Sequence, residues 1–121
     1  SRSERPPATM SGAERASIRS LIASALNPCE GQTFPAPQAR AIKVDVRVTL
    51  TENGTLTSAD VVRVVNSDPA LERYEQRMRD LALNVINSCQ RNFREVARRY
   101  PEFYDVPGGW RQFTYRFPRD S

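Results

Sequence analysis

The chain has 121 residues and a formal net charge of +4, a length that suits one domain with a modest core. Histidine is absent, which excludes Ser-His-Asp and Cys-His catalysis and any histidine metal site within the chain. Two cysteines alone cannot form a structural zinc site, and no apolar run approaches the roughly 20 residues of a membrane span. No cofactor is therefore expected.

The N-terminal part predicts a linker followed by a helix. The chain starts at Ser1 without a signal-peptide core, so we expect a fragment or a processed product, with any membrane anchor outside it. Residues 1–11 are polar, contain two prolines and predict a disordered end or linker stub; residues 12–121 predict the folded domain. An apolar stripe predicts a helix over 12–26, which the Asn27-Pro28 pair ends. Residues 29–41 predict an irregular connection in which Phe34 packs on the core.

Residues 42–51 alternate strictly between aliphatic and polar side chains, which predicts a strand with one buried face. Asn53-Gly54 predicts a tight hairpin turn into a second strand over 56–65. The side chains expected to face inward are Ile42, Val44, Val46, Val48 and Leu50. Those expected to face water are Lys43, Asp45, Arg47, Thr49 and Thr51.

The register of the second strand stays open. A two-residue turn would place Ala59, Val61 and Val65 inside. A three-residue turn with a glycine bulge would instead bring in Leu56, Val62 and Val64. Both faces of residues 61–65 are mostly apolar, so the sequence does not choose between these registers.

The second half predicts a helix and a last strand. Asp68 or Ser67 can cap a helix that starts near Pro69. Apolar residues then recur at helical spacing, and the pattern is compatible with continuation to Arg99. The positions that define this stripe are Leu71, Tyr74, Met78, Leu81, Val85, Ile86 and Cys89. After Trp110, the aromatic residues Phe113, Tyr115 and Phe117 alternate with the polar residues Gln112, Thr114 and Arg116, which predicts a third strand.

One helical crossover returns the chain to the starting end of the second strand. The third strand can then pair antiparallel only beside the first, so we expect an α+β fold with a three-stranded antiparallel sheet of order 2-1-3. The N-terminal helix accompanies it, and the long helix packs on the apolar face. The third strand is thus an edge, either covered by the N-terminal helix or the loop before Trp110, or open to a partner strand.

Two features of the chain have competing interpretations. Cys29 and Cys89 form either one disulfide or two unpaired thiols. The arginines of residues 90–99 could form a basic surface for nucleic acid or anionic lipid, but a solvated helix face is the simpler explanation and is favoured. These arginines are Arg91, Arg94, Arg98 and Arg99. An enzyme is the least expected class, because nothing marks a pocket around carboxylates such as Asp45 and Asp60.

The order and spacing of several short motifs carry a family resemblance. They are residues 46–50, 53–56, 61–71 and 110–118, together with Cys89 and Tyr104. With them the chain resembles the C-terminal domain of TolA, within the wider group that includes the TonB C-terminal domain, over roughly residues 18–120. The arginine-rich stretch 90–99 is longer than this family leads us to expect.

The resemblance implies a periplasmic domain of an inner-membrane-anchored protein of the Tol-Pal system, which supports outer-membrane integrity and cell division. It favours the Cys29–Cys89 disulfide. It implies protein partners, namely a TolB-like N-terminal peptide and in some bacteria a phage coat protein or colicin, with no small-molecule substrate and no nucleic acid. A TonB-like transducer that binds receptor peptides is the alternative. The residues expected to bind the partner by strand addition are Arg111, Gln112, Phe113, Thr114, Tyr115, Arg116 and Phe117.

Overall fold

In the computed structural model, which describes residues 9–119, the first helix begins at a capping box. The Ser11 hydroxyl accepts a hydrogen bond from the Glu14 N–H (3.1 Å), and the Glu14 carboxylate accepts one from the Ser11 N–H (2.9 Å). This helix, α1 (Gly12–Leu26), has the predicted bounds and passes into a 3₁₀ turn at Asn27–Cys29. Residues 1–8, most of the predicted linker stub, lie outside the described residues, and Met10 is half-buried against the core.

The predicted sheet is confirmed in strand number, order and direction. Its strands are β1 (Lys43–Leu50), β2 (Leu56–Val65) and β3 (Gln112–Phe117), in the order β2-β1-β3, and both pairs are antiparallel. The fold is therefore α+β, with β3 at one edge.

The hairpin turn places Gly54 in the left-handed region, at a φ of 81°. The Gly54 N–H donates to the carbonyl of Thr51 (2.9 Å), and the Thr51 N–H donates to the carbonyl of Thr55 (2.8 Å). Glycine adopts this conformation without the steric cost of a β-carbon, which explains why the chain reverses at Asn53-Gly54.

Neither single register describes β2, because two irregularities interrupt its pairing with β1. They leave Thr57 and Val62 as extra residues without a direct partner in β1, and Val62 is 45% exposed. Each irregularity shifts the alternation by one residue. The β2 residues opposite the buried side chains of β1 are consequently Leu56, Ala59, Val61 and Val64, which come from both alternatives.

The predicted long helix is helical over its whole length but is interrupted. The Asp68 side chain accepts from the Ala70 N–H (2.9 Å) and caps a 3₁₀ segment, Pro69–Tyr74. Then follow α2 (Glu75–Cys89), a 3₁₀ turn (Gln90–Asn92) and α3 (Phe93–Arg99). Phe93 and Val96 of α3 are fully buried, so α3 still contributes side chains to the core after the interruption.

All the helices pack on one face of the sheet. α2 lies against β1 and β2, and α1 packs on α2 and α3. The five inward residues predicted from residue 42 to residue 50 are all buried, as are Met78, Leu81, Val85 and Ile86 of α2. Each fully buried aliphatic side chain contributes roughly 1.5–3 kcal/mol to folding. The opposite face of the sheet is polar and charged.

Candidate functional site

Two aromatic residues before β3 fix where this edge strand begins. The Tyr104 hydroxyl donates to the carbonyl of Leu50 (2.8 Å), and the Trp110 indole N–H donates to the carbonyl of Tyr100 (2.7 Å). The Tyr104 and Trp110 rings meet edge to face at 4.8 Å, and Trp110 is fully buried. Tyr104 and Trp110 therefore anchor the loop and position the start of β3 beside the end of β1.

The pairing of β3 determines which of its backbone groups point away from the sheet. The Leu50 N–H donates to the carbonyl of Arg111 (2.8 Å), and residues 112–117 continue this antiparallel register without a bulge. Because bonded and non-bonded pairs alternate along an antiparallel ladder, the backbones of residues 111, 113, 115 and 117 face β1. The backbones of Gln112 and Thr114 face outward, and within residues 9–119 they meet no hydrogen-bond partner.

The three aromatic side chains of β3 belong to the core. The Phe113 ring lies 5.6 Å from that of Phe93, and the Phe117 ring lies 5.9 Å from that of Phe34, which confirms that Phe34 packs on the core. Tyr115 is 5% exposed. These side chains fix β3 to the fold, and a partner could reach this part of the strand only through its backbone.

Tyr115 also forms a partly buried hydrogen bond near the end of β3. Its hydroxyl donates to a Glu30 carboxylate oxygen (2.6 Å), and Arg119 forms a salt bridge with the same carboxylate (2.8 Å). Burial, followed by the hydrogen bond to Glu30, raises the pKa of Tyr115 well above its usual range. The phenol is thus a neutral donor that ties the 29–41 connection to the sheet.

Asp45 and Arg116 form the main polar contact on the outer face of the sheet. The guanidinium binds both carboxylate oxygens, at 2.7 Å and 3.0 Å, between adjacent strands. The hydrogen bond from Arg116 lowers the pKa of Asp45. Asp45 was expected to face water; it lies on the outer face as predicted, but it is only 8% exposed because neighbouring side chains cover it.

An open groove of about 710 Å³ runs between α1 and β3. Ile18, Ile22 and Leu26 of α1 form its apolar wall, and the outward edge of β3 forms the other side. At the end where β3 starts, Arg15 reaches across to Gly108: a β-carbon on that glycine would lie 2.9 Å from Arg15 Nε. The N-terminal helix therefore stands beside the edge strand and leaves space between them.

Two contacts hold the C-terminal end of α1 in place. The Asn92 side-chain amide donates to the carbonyl of Ala25 (2.9 Å), and a disulfide joins Cys29 to Cys89 with a Cα–Cα distance of 6.0 Å. The disulfide that the resemblance favoured is confirmed. It connects the segment just after α1 to the last residue of α2, so the wall of the groove is tied to the core.

The arginines of residues 90–99 are all exposed and only partly available to a ligand. Arg98 and Arg99 both pair with Glu95, whose pKa the hydrogen bond from Arg98 lowers. Arg91 and Arg94 lie near the hairpin turn, away from the groove beside β3. No sequence pattern separates these four arginines, but among residues 9–119 Arg98 and Arg99 form ion pairs and Arg91 and Arg94 do not.

The residues that sequence reasoning missed are those of α1. The apolar stripe that predicted this helix includes Ile18 and Ala25, which are buried, and Ile22, which is only half-buried and borders the groove. Helical periodicity identifies an apolar face but does not tell how far that face stands from the next element. Arg15 and Arg19, beside the stripe, carried no signal that distinguished them from other surface arginines.

Comparison of the chain with protein-family models, curated proteins and solved structures gives no match. Among residues 9–119, no helix has the length and apolar character needed to cross a membrane. Within the same residues, no group of three or more cysteine, aspartate and glutamate side chains is placed to hold a metal ion.

Proposed function

We propose that this chain is the periplasmic protein-binding domain of a TolA-like cell-envelope protein. It docks a TolB-like peptide by adding it as a fourth strand along β3, and so couples the inner membrane to the outer membrane. The observation that carries the docking mode is the pair of outward backbones at Gln112 and Thr114, which face an apolar groove. An added strand would satisfy these groups and bury the wall of the groove.

The chemistry of the groove suits an extended peptide. Backbone N–H and C=O groups bind any sequence in the extended conformation, so they supply affinity with little selectivity. Selectivity then comes from alternate side chains, which would pack against the half-buried Ile22 and Ala23. Arg111 and Arg116, two of the residues expected to bind the partner, form salt bridges with Asp105 and Asp45 in this chain.

The TolA-like assignment draws on two features besides the motifs. A disulfide persists in an oxidising compartment such as the periplasm, and the Cys29–Cys89 pair is bridged. Tyr104 and Trp110, which are part of the resemblance, pack edge to face and anchor the loop just before the edge strand. Neither feature favours the TonB-like alternative. A receptor peptide of the kind that a TonB-like domain would bind is therefore the comparison ligand.

The test is a titration of the isotope-labelled domain with a synthetic TolB-like N-terminal peptide. We expect amide shifts in residues 112–117 and in the α1 residues that line the groove. A TonB-box peptide of equal length should shift these amides less at the same concentration. Shifts confined to other surfaces, or none, would contradict the docking mode, and stronger binding of the TonB-box peptide would overturn the TolA-like assignment.

A matched pair of variants tests the backbone directly. Thr114→Pro removes one outward N–H, and the fold should survive because proline is tolerated where an edge N–H faces solvent. Thr114→Ala removes the side chain and keeps that N–H. We expect the proline variant to weaken peptide binding roughly fivefold or more, a loss of about 1 kcal/mol or more, and the alanine variant to bind almost as the parent does.

A further inference from the structure

We infer that the peptide accepted by this groove is acidic at one end: an extended segment with apolar residues at every second position and an aspartate or glutamate beside Gln112. The inference rests on the proposed docking at β3 and adds the chemistry of the occupant. It is carried by the charges that surround the groove, by its apolar wall and by its length.

The length of the groove limits the number of guest residues. Its lining on α1 extends from Arg15 to Leu26, about 17 Å at the helical rise per residue. An extended strand covers this distance with about five residues. Two or three of them would face α1 and the others would face the polar side of the sheet.

The two sides of the guest strand would meet different surroundings. Toward α1 lies the apolar wall, in which Ile18 and Leu26 are already buried and Ile22 and Ala23 are half-buried, so aliphatic guest side chains would cover the exposed parts of Ile22 and Ala23. Toward the outer face lie the exposed side chains of Gln112 and Thr114. Because successive side chains of a strand point to opposite faces, the guest should alternate between apolar and polar residues.

The charged side chains that line the groove within residues 9–119 have one sign. They are four arginines, and no aspartate or glutamate of this range lines it. Two of them, Arg116 and Arg119, are already bound to Asp45 and Glu30. The others are Arg15 and Arg19 of α1, and neither forms an ion pair with any residue in the described range 9–119.

Arg15 and Arg19 are one helical turn apart, so their guanidinium groups lie on neighbouring parts of the same side of α1. Like charges at this spacing repel each other weakly, and a carboxylate placed between them would replace repulsion with attraction. Arg15 also reaches Gly108 across the groove, close to where β3 starts. A guest carboxylate that pairs with Arg15 would therefore lie at the Gln112 end.

The experiment is a selection from a displayed library of random decapeptides on the wild-type domain. We expect the enriched sequences to alternate between apolar and polar residues and to carry an acidic residue at one end. One enriched peptide is then synthesised with blocked termini, together with a partner in which the acidic residue is replaced by its amide. The acidic form should bind roughly two- to fivefold more tightly.

Two double variants of equal net charge complete the test. Arg15→Gln/Arg19→Gln should remove the preference for the acidic peptide over its amide partner. Arg77→Gln/Arg79→Gln on the exposed side of α2 should preserve it. Selected peptides that are neutral or basic, or an acidic preference that persists without Arg15 and Arg19, would overturn the inference and leave docking at β3 intact. Enriched peptides that shift no amide of β3 would overturn the docking itself.

Discussion

Asp45 shows how one residue on the polar face of the sheet can contribute to stability. Its carboxylate is bound by both arms of the Arg116 guanidinium, and Arg63 lies opposite it on β2. The hydrogen bond from Arg116 lowers its pKa below the ordinary 3.8. A carboxylate with a lowered pKa stabilises the fold at any pH above its unfolded pKa. That contribution is lost as the pH falls through the pKa of the folded state.

We predict that Asp45→Asn lowers the free energy of unfolding by about 1–2 kcal/mol at pH 7, because it removes a charge-assisted, bidentate contact between β1 and β3. Urea denaturation from pH 7 to pH 2 measures this. The difference between variant and parent should be constant down to about pH 4 and should shrink below it.

Asp60 provides the matched control for this prediction. It lies on the same face of the sheet, is exposed, and forms no ion pair with any residue in the part of the chain that the structure describes. Asp60→Asn should change the free energy of unfolding by less than about 0.5 kcal/mol. An equal effect of the two substitutions would show that the Asp45–Arg116 contact adds nothing beyond the net charge.

At the scale of elements, the hairpin turn is tied to the helical layer through Gly54. Its φ is positive, and a β-carbon there would lie 2.7 Å from the carbonyl oxygen of Phe93, at the start of α3. Gly54→Ala should therefore cost about 2–4 kcal/mol, from the left-handed backbone and from the clash with α3. The measurement is the midpoint and slope of urea unfolding, and an unchanged stability would contradict the close approach.

Gly31→Ala is the control for Gly54. Gly31 is exposed, its φ is not positive, and a β-carbon built on it meets nothing within 4 Å. Its substitution should be neutral or slightly stabilising, by less than about 1 kcal/mol. Comparable losses at both glycines would mean that the loss at Gly54 reflects a general effect of replacing glycine.

The two strands of the hairpin show which parts of the fold were readable from the sequence. β1 was predicted residue by residue because its aliphatic and polar positions alternate without exception. β2 was not, because residues 61–65 are apolar on both faces and either register could bury enough of them. The structure uses both registers in turn by inserting extra residues at Thr57 and Val62.

The candidate site was likewise only partly predictable from the sequence. That β3 forms an edge follows from chain connectivity, since one crossover and antiparallel pairing leave a single position for it. The groove could not be predicted from the sequence, because no local pattern in α1 specifies the distance between α1 and β3. Its position depends on contacts between residues distant in sequence, such as Asn92 with Ala25.

For the molecule as a whole, the Cys29–Cys89 disulfide connects stability to the site. It joins the 3₁₀ turn just after α1 to the end of α2 across a sequence separation of 60 residues. Closing a loop of this length restricts the unfolded chain by about 4 kcal/mol in the loop-entropy model, although measured gains are often smaller. The same bond holds the apolar wall of the groove against the core.

We predict that Cys29→Ala/Cys89→Ala lowers the free energy of unfolding by about 2–4 kcal/mol in urea denaturation. It should also weaken peptide docking, because α1 then has more freedom to move away from β3 and must be ordered again on binding. The wild-type domain in reducing buffer is the control and should show the same two losses. Reduced stability with unchanged peptide affinity would show that the groove keeps its shape without the bridge. The position of α1 would then depend on its packing against α2 and α3 alone.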